Sequence, residues 1–277
     1  MSNSIKNIIY LGPIGSYTQI AAEAFCAKFA PDAHMEGIST IAKIIGEIDA
    51  DPELYAIVPI ENSIEGIVRE TIDNLIATKN NPKILSQHMI PIRHCLIGKG
   101  KKEEIEYIIS HPQALSQCQG YIAANFGKNI EILSANSTSQ AACLLDYKDT
   151  SHAAIANEFC ANLYNIGVIE KNINDIETNF TRFILIGQKE VKGLPKTRTS
   201  IAFSTKNEVG ALSKVLTVFE KHNLNLIYIE SRPSKHTLGE YVFFADIDRG
   251  EGEIAVALNE IEKICDFYRL LGSYGAL

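Results

Sequence analysis

Thr181 and Arg182, in the pentapeptide Asn179-Phe180-Thr181-Arg182-Phe183, put a neutral hydroxyl beside a permanent cation. Arginine keeps its proton and presents a planar fork that suits carboxylates. A polar, acidic stretch from Asn172 to Asn179 precedes the pair, and the apolar run Phe183-Ile184-Leu185-Ile186-Gly187 follows it. That pattern stands the pair at the mouth of a strand, where a rigid sheet aims side chains into a cleft. Taken alone, the pair reads equally well as a loop end with a surface ion pair.

Four further polar clusters follow or precede apolar runs. Gly12-Pro13-Ile14-Gly15-Ser16-Tyr17-Thr18 opens a helix; Ser16 can cap it, and the free N–H groups there suit an anion. Pro59-Ile60-Glu61-Asn62-Ser63-Ile64-Glu65-Gly66 offers Glu61 as an acid or base and Asn62 as both donor and acceptor. Ser110-His111-Pro112-Gln113 is followed by Gln117, which shares a helix face with Gln113 at a spacing of four. Asn136-Ser137-Thr138-Ser139 opens another helix with hydroxyls. Each cluster alone is also an ordinary cap or turn. Together with Arg182 they suit a small dianion.

The chemistry that such a set can do is bounded by what is missing. There is no Gly-x-Ser-x-Gly elbow, no Gly-x-x-x-x-Gly-Lys phosphate loop and no Gly-x-Gly-x-x-Gly fingerprint. The six cysteines, at 26, 95, 118, 143, 160 and 265, include no Cys-x-x-Cys pair, and the histidines show no ligand spacing. No metal or cofactor is expected. What is left is acid/base or elimination chemistry on an anion held by fixed donors.

The elements that must position these groups alternate. Strands at Ile8–Leu11, 55–60, 107–109, 130–133 and 153–156 precede helices at 16–29, 68–77, 113–126, 138–145 and 158–164, with a long apolar stretch from Ile84 to Gly98. Such alternation implies α/β layering with ligands at the strand ends. A charged break at 189–196 holds Gly193 and Pro195. Beyond it, strand 199–205, helix 210–222, strands 224–230 and 238–247, helix 253–264 and strand 267–271 give the order βαββαβ, a ferredoxin-like unit.

The chain of 277 residues is 46% hydrophobic and 21% charged, with a formal charge of −7, so nucleic acid and anionic membranes are poor partners. No run of eighteen apolar residues and no signal-peptide core is seen, so a cytoplasmic protein is expected.

Five motifs occur here in the order seen in prephenate dehydratase: Gly12-Pro-x-Gly-Ser-Tyr17, Pro59-x-Glu-Asn-Ser63, Ser110-His-Pro-Gln113, Ser137-Thr-Ser139 and Asn179-Phe-Thr-Arg-Phe183. Gly210-Ala211-Leu212 and Glu230-Ser231-Arg232-Pro233 resemble the phenylalanine-binding ACT domain of that family. The likeness covers nearly the whole chain, and seven motifs in order are specific although each is weak. No chorismate mutase segment is seen ahead of Ile8, so a monofunctional form is expected.

The resemblance implies a two-lobed, periplasmic-binding-protein-like catalytic domain over 1–190, with lobes 1–83 plus 156–190 and 84–155, and an ACT regulatory domain over 197–277. It implies cofactor-free loss of carbon dioxide and hydroxide from prephenate. Thr181 would donate to the leaving hydroxyl with Glu61 as proton source, and Asn62 and Gln117 would orient the ring. Arg182, the backbone near Ser16, and Ser137, Thr138 and Ser139 would hold the carboxylates. Tyr17, Ser63, Ser110, Gln113, Phe180 and Phe183 complete the implied substrate site, with Phe180 the position to watch for substrate choice. Gly210, Ala211, Leu212, Glu230 and Ser231 would bind phenylalanine in a homodimer or homotetramer. The rivals are arogenate dehydratase, which has the same fold, and a non-catalytic amino-acid sensor.

Overall fold

Apolar runs become strands and amphipathic runs become helices in a computed structural model that describes residues 5–127, 129–145, 148–233 and 241–277. The chain starts with β1 (Asn7–Leu11), α1 (Tyr17–Phe29), β2 (His34–Ile38), α2 (Ile41–Ala50), β3 (Leu54–Asn62), β4 (Gly66–Ile67), α3 (Arg69–Ala77) and β5 (Lys83–Pro91). It then crosses to a second sheet through β6 (Cys95–Gly98), β7 (Tyr107–Ser110), α4 (Pro112–Ser116), α5 (Gln119–Asn125), β8 (Glu131–Ser134), α6 (Thr138–Leu144), β9 (His152–Ala156), α7 (Glu158–Leu163) and β10 (Gly167–Glu170). It returns as β11 (Phe180–Gly187). β12 (Arg198–Ser204), α8 (Ala211–Lys221), β13 (Leu226–Pro233), β14 (Tyr241–Ile247), α9 (Glu251–Ile264) and β15 (Phe267–Tyr274) follow.

Three sheets result, in the orders β2-β1-β3-β11-β5 with β4 on β3, β10-β6-β9-β7-β8, and β13-β14-β12-β15. The first two make two α/β lobes joined by two chain crossings, the layout of a periplasmic-binding-protein-like domain. The crossings run side by side: the Ile92 N–H donates to the Asn179 carbonyl at 2.8 Å and the Ile173 N–H to that of His94 at 3.0 Å.

The third sheet has the ferredoxin-like order and covers one face with α8 and α9, through Val215, Phe219, Ile254 and Ile261. Its other face is not solvated. Ala202, Phe244, Leu271 and Tyr274 join one continuous core with Ile60, Ile72, Leu75, Ile84 and Ile184 of the first lobe. β15 lies so close to β5 that a Cβ on Gly272 would fall 2.2 Å from the Ile84 carbonyl oxygen.

Several expectations are corrected. The apolar stretch 84–98 is two strands in different sheets, so the second lobe does not begin at Ile84: β5 pairs with β11 in the first sheet, and β10, beyond residue 155, belongs to the second. The helix expected over 113–126 breaks at Gln117-Cys118 into α4 and α5. β2, α2 and β10 were not anticipated. Of the strand expected at 238–247, residues 238–240 lie outside the described residues. Among the described residues no helix is long and apolar enough to cross a membrane.

Candidate active site

Strand alternation sorts the polar residues onto two faces. Thr181 is opposite Asn62 in the β11–β3 ladder, and Arg182 is opposite Glu61. Cross-strand neighbours share a face, and successive residues point to opposite faces. Thr181 and Asn62 therefore form one group and Glu61 and Arg182 another.

The first group is a directed hydrogen-bond network. Asn62 Oδ1 accepts from the N–H groups of Ile64 at 2.9 Å and Glu65 at 3.0 Å, which sets the orientation of its amide. Its Nδ2 then donates to Asn179 Oδ1 at 2.8 Å and Thr181 Oγ1 at 2.9 Å. The Asn179 amide is set in turn, and its Nδ2 donates to Gln117 Oε1 at 2.9 Å. His94 Nε2 lies 3.1 Å from that same oxygen. Burial holds the His94 pKa below its ordinary 6.5, an effect partly offset by the Gln117 contact. The network ties β3 and β11 of the first lobe to both crossings and to the end of α4 in the second. Because Thr181 Oγ1 accepts from Asn62, the hydroxyl's own proton points elsewhere and is free to donate.

The second group is not in this network. Arg182 is 2% exposed. Its Nε lies 2.9 Å from Glu61 Oε2 and its Nη2 2.8 Å from Asp246 Oδ2 on β14, while Nη1 donates to the Tyr274 hydroxyl at 3.2 Å. The Nε and Nη2 hydrogens miss hydrogen-bond alignment, so those two attractions are chiefly Coulombic. Burial opposes the charge, but Tyr274, Asp246 and Glu61 outweigh it and hold the guanidinium pKa above its ordinary value. Asp246 is fully buried and accepts from Ser200 Oγ. The expected roles of Arg182 as carboxylate anchor and Glu61 as proton source at Thr181 are thus corrected: both point at the C-terminal sheet.

The remaining expected residues divide by what already occupies them. Ser16 Oγ caps the Gln19 N–H at 3.2 Å, and Ser137 Oγ caps that of Gln140 at 3.0 Å. The Tyr17 hydroxyl donates to the Arg93 carbonyl at 2.6 Å and accepts from its N–H at 2.8 Å, fastening α1 to the first crossing. Ser63 Oγ accepts from the Phe180 N–H at 2.9 Å, and Phe180 is half-buried. Ser110 is fully buried and donates to the Ile155 carbonyl at 2.6 Å, so it braces β7 on β9 and is not a substrate contact. Phe183 is buried in the core with Phe25, which also removes it from the site. Gln113 is exposed and outside the network, and Thr138 is half-buried at the start of α6.

The lobes touch at Gly15. Asn157 Nδ2 donates to its carbonyl at 2.9 Å, Cys160 Sγ does so at 3.2 Å, and Ser139 Oγ donates to the Ile14 carbonyl next to it. Gly15 adopts φ +88°, and a Cβ there would stand 2.6 Å from Ser139 Oγ. Sequence reasoning did not assign Asn179, although it lies in the quoted motif. It also set His94 aside for lacking metal-ligand spacing. A buried histidine in an apolar run was the available signal for the second.

On the C-terminal unit, Gly210 (φ +81°) precedes α8, Ala211 is buried, and Leu212 packs on the helix-side core. Glu230 accepts from the Tyr228 hydroxyl and lies 3.8 Å from Arg69 of α3, while Ser231 is exposed on the edge strand β13. Arg232 grips the Asp73 carboxylate of α3 with Nε and Nη2, both at 3.1 Å.

Two α/β lobes around a polar network, with a ferredoxin-like unit packed on the first lobe, define a small-molecule enzyme carrying a regulatory module. Residues 8–191 match the family model for prephenate dehydratase, and residues 199–266 that for the ACT domain. The chain belongs to the prephenate dehydratase family and has an ACT domain. It is 37% identical over 270 residues to the bifunctional chorismate mutase/prephenate dehydratase of Aquifex aeolicus, covering 96% of this chain and 73% of that protein. It is 37% identical over 273 residues to the prephenate dehydratase of Methanocaldococcus jannaschii, covering 97% and 98%. The crystal structure of a prephenate dehydratase from Arthrobacter aurescens in complex with L-Phe is similar to it, with a TM-score of 0.85, 29% identity, and coverage of 98% and 90%.

Proposed function

We propose that this chain converts prephenate to phenylpyruvate, carbon dioxide and water, and that phenylalanine at the ACT domain slows the reaction. The observation that carries the reading is the Thr181 hydroxyl, pinned as an acceptor by Asn62 and left with its proton free. In the reaction, the ring carboxylate leaves as carbon dioxide, its electron pair aromatises the ring, and the C–O bond to the hydroxyl breaks. The departing oxygen needs one proton. Thr181 steadies that oxygen with a hydrogen bond that strengthens as charge develops. With Glu61 on the far face, solvent in the cleft supplies the proton. Asn62 holds Thr181, and Gln117 offers its amide hydrogens to the substrate. Arg182 is committed to Asp246, so the anion-holding groups in this reading are the N–H groups at the start of α1, beside Tyr17, and the hydroxyl of Thr138.

We assign residues 1–190 to catalysis and 197–277 to regulation, a division supported by the spans of the two family matches. The enzyme is read as a cytoplasmic homo-oligomer. The edge position of β13, with Ile227 and Ile229 exposed on it, supports pairing through the ACT domain.

The test is turnover of purified protein on prephenate and on arogenate, each with and without phenylalanine. Phenylpyruvate formation that phenylalanine suppresses is expected; no turnover of either substrate overturns the reading. Thr181→Ala is expected to lower kcat by roughly a hundredfold or more, the scale of lost proton assistance.

A further inference from the structure

Gln117 is useful to a substrate only if its amide faces one way, and the network shows what sets that direction. Its Oε1 receives Asn179 Nδ2 at 2.9 Å and stands 3.1 Å from His94 Nε2. Both contacts fall on the oxygen, so the NH2 end is the one left to a ligand. The Asn179 donor is fixed through Asn62 by the backbone of Ile64 and Glu65. The histidine contact needs a proton on Nε2.

The burial of His94 supplies that proton placement. The ring is 3% exposed, on the first crossing between the lobes. Its Nδ1 is buried and has no hydrogen-bond partner among the described residues. A buried N–H without an acceptor costs more than a buried lone pair beside apolar atoms, so a neutral ring carries its hydrogen on Nε2, where Gln117 accepts it. Its backbone is held too: the N–H donates to Asn174 Oδ1 at 2.6 Å and the carbonyl accepts from Ile173 at 3.0 Å, both on the second crossing.

We propose that His94 is a positioning residue for the reaction, its Nε2–H locking the Gln117 amide so that the NH2 group faces the substrate. His94 touches no substrate in this scheme. Without it, one hydrogen bond from Asn179 holds the amide in place of two, and the rotated amide, which presents a carbonyl to an anionic substrate, becomes populated. The proposal rests on the reading of the site as a prephenate dehydratase centre.

The experiment has three arms. In nitrogen-15 NMR of histidine-labelled wild type without substrate, His94 should show a protonated Nε2 and a bare Nδ1, unchanged between pH 8 and pH 7. This arm does not depend on the reaction, so an enzyme inert toward prephenate would sink the functional reading and leave this measurement standing. A proton on Nδ1 would overturn the positioning role. In kinetics on prephenate, His94→Phe should lower kcat/KM by about tenfold, the scale of one hydrogen bond, and His94→Gln, whose amide can donate to Gln117, should recover most of it. Wild-type turnover in His94→Phe overturns the proposal. In the Gln117→Leu background, His94→Phe should cost nothing more, because the residue acts through Gln117. An undiminished tenfold loss there would show that His94 acts only by packing. If His94→Phe does not fold, the NMR result and His94→Gln decide, with a loss in His94→Gln as large as in Gln117→Leu counting against.

Discussion

Arg182 shows how far one peptide unit can separate two roles. It adjoins Thr181, yet it is buried between Glu61 and the fully buried Asp246. Removing one partner of a buried ion pair leaves an uncompensated charge, which costs about 3–5 kcal/mol. Arg182→Met should therefore lower unfolding free energy by that order in urea titrations. A substrate anchor would instead raise KM in a fully stable protein. The sequence shows both residues of each pair, Glu61-Asn62 and Thr181-Arg182, and strand alternation says that one of each faces away. Which one faces the cleft depends on where the ACT sheet docks, and no local pattern encodes that. Asn62, Gln117 and Thr181 were grouped only by the family resemblance, since each alone reads as an ordinary cap or turn; the structure links Asn62 to Thr181 directly and to Gln117 through Asn179.

At the scale of elements, α3 is the piece held by two masters. Its start follows the turn that Asn62 organises through Ile64 and Glu65. Its flank is gripped by Arg232 through Asp73, and its end receives Arg269, whose Nη1 donates to the Thr78 carbonyl at 2.7 Å. Arg232 follows Glu230 and Ser231 on β13, the residues that the family resemblance implies for phenylalanine, and it ties that strand directly to a helix of the first lobe. Asp73→Asn should leave turnover without phenylalanine near wild type and shift the inhibition curve by roughly fivefold or more, within usual coupling energies. An unchanged dose–response curve would remove the link. Much of the element order was readable from the sequence, through strand–helix alternation and caps such as Ser16 and Ser137. α2 was passed over although Thr40 caps it and Ile41, Ile44, Ile45 and Ile48 form its buried stripe. The division of 84–98 between two sheets was not readable, since an apolar run carries no mark of which sheet it joins.

Across the whole molecule, the ACT sheet and the first lobe share one core, so they should unfold together. Fluorescence and circular dichroism melts should coincide, and separate transitions would contradict the shared core. Acid should weaken the protein early. Burial lowers the pKa of both His88 and His94 below the 6.5 of an exposed histidine. The unfolded chain then takes up protons first as pH falls through 6.5, so stability is full above that value and declines below it. His94→Gln should flatten this slope. The contact at Gly15 has a practical consequence of its own. A single methyl there meets Ser139 and Cys160 and demands a backbone angle that side chains avoid. Gly15→Ala is thus a doorstop: it should wedge the two lobes ajar, enlarge the radius of gyration in small-angle scattering, and yield a molecule in which substrate entry can be studied apart from closure.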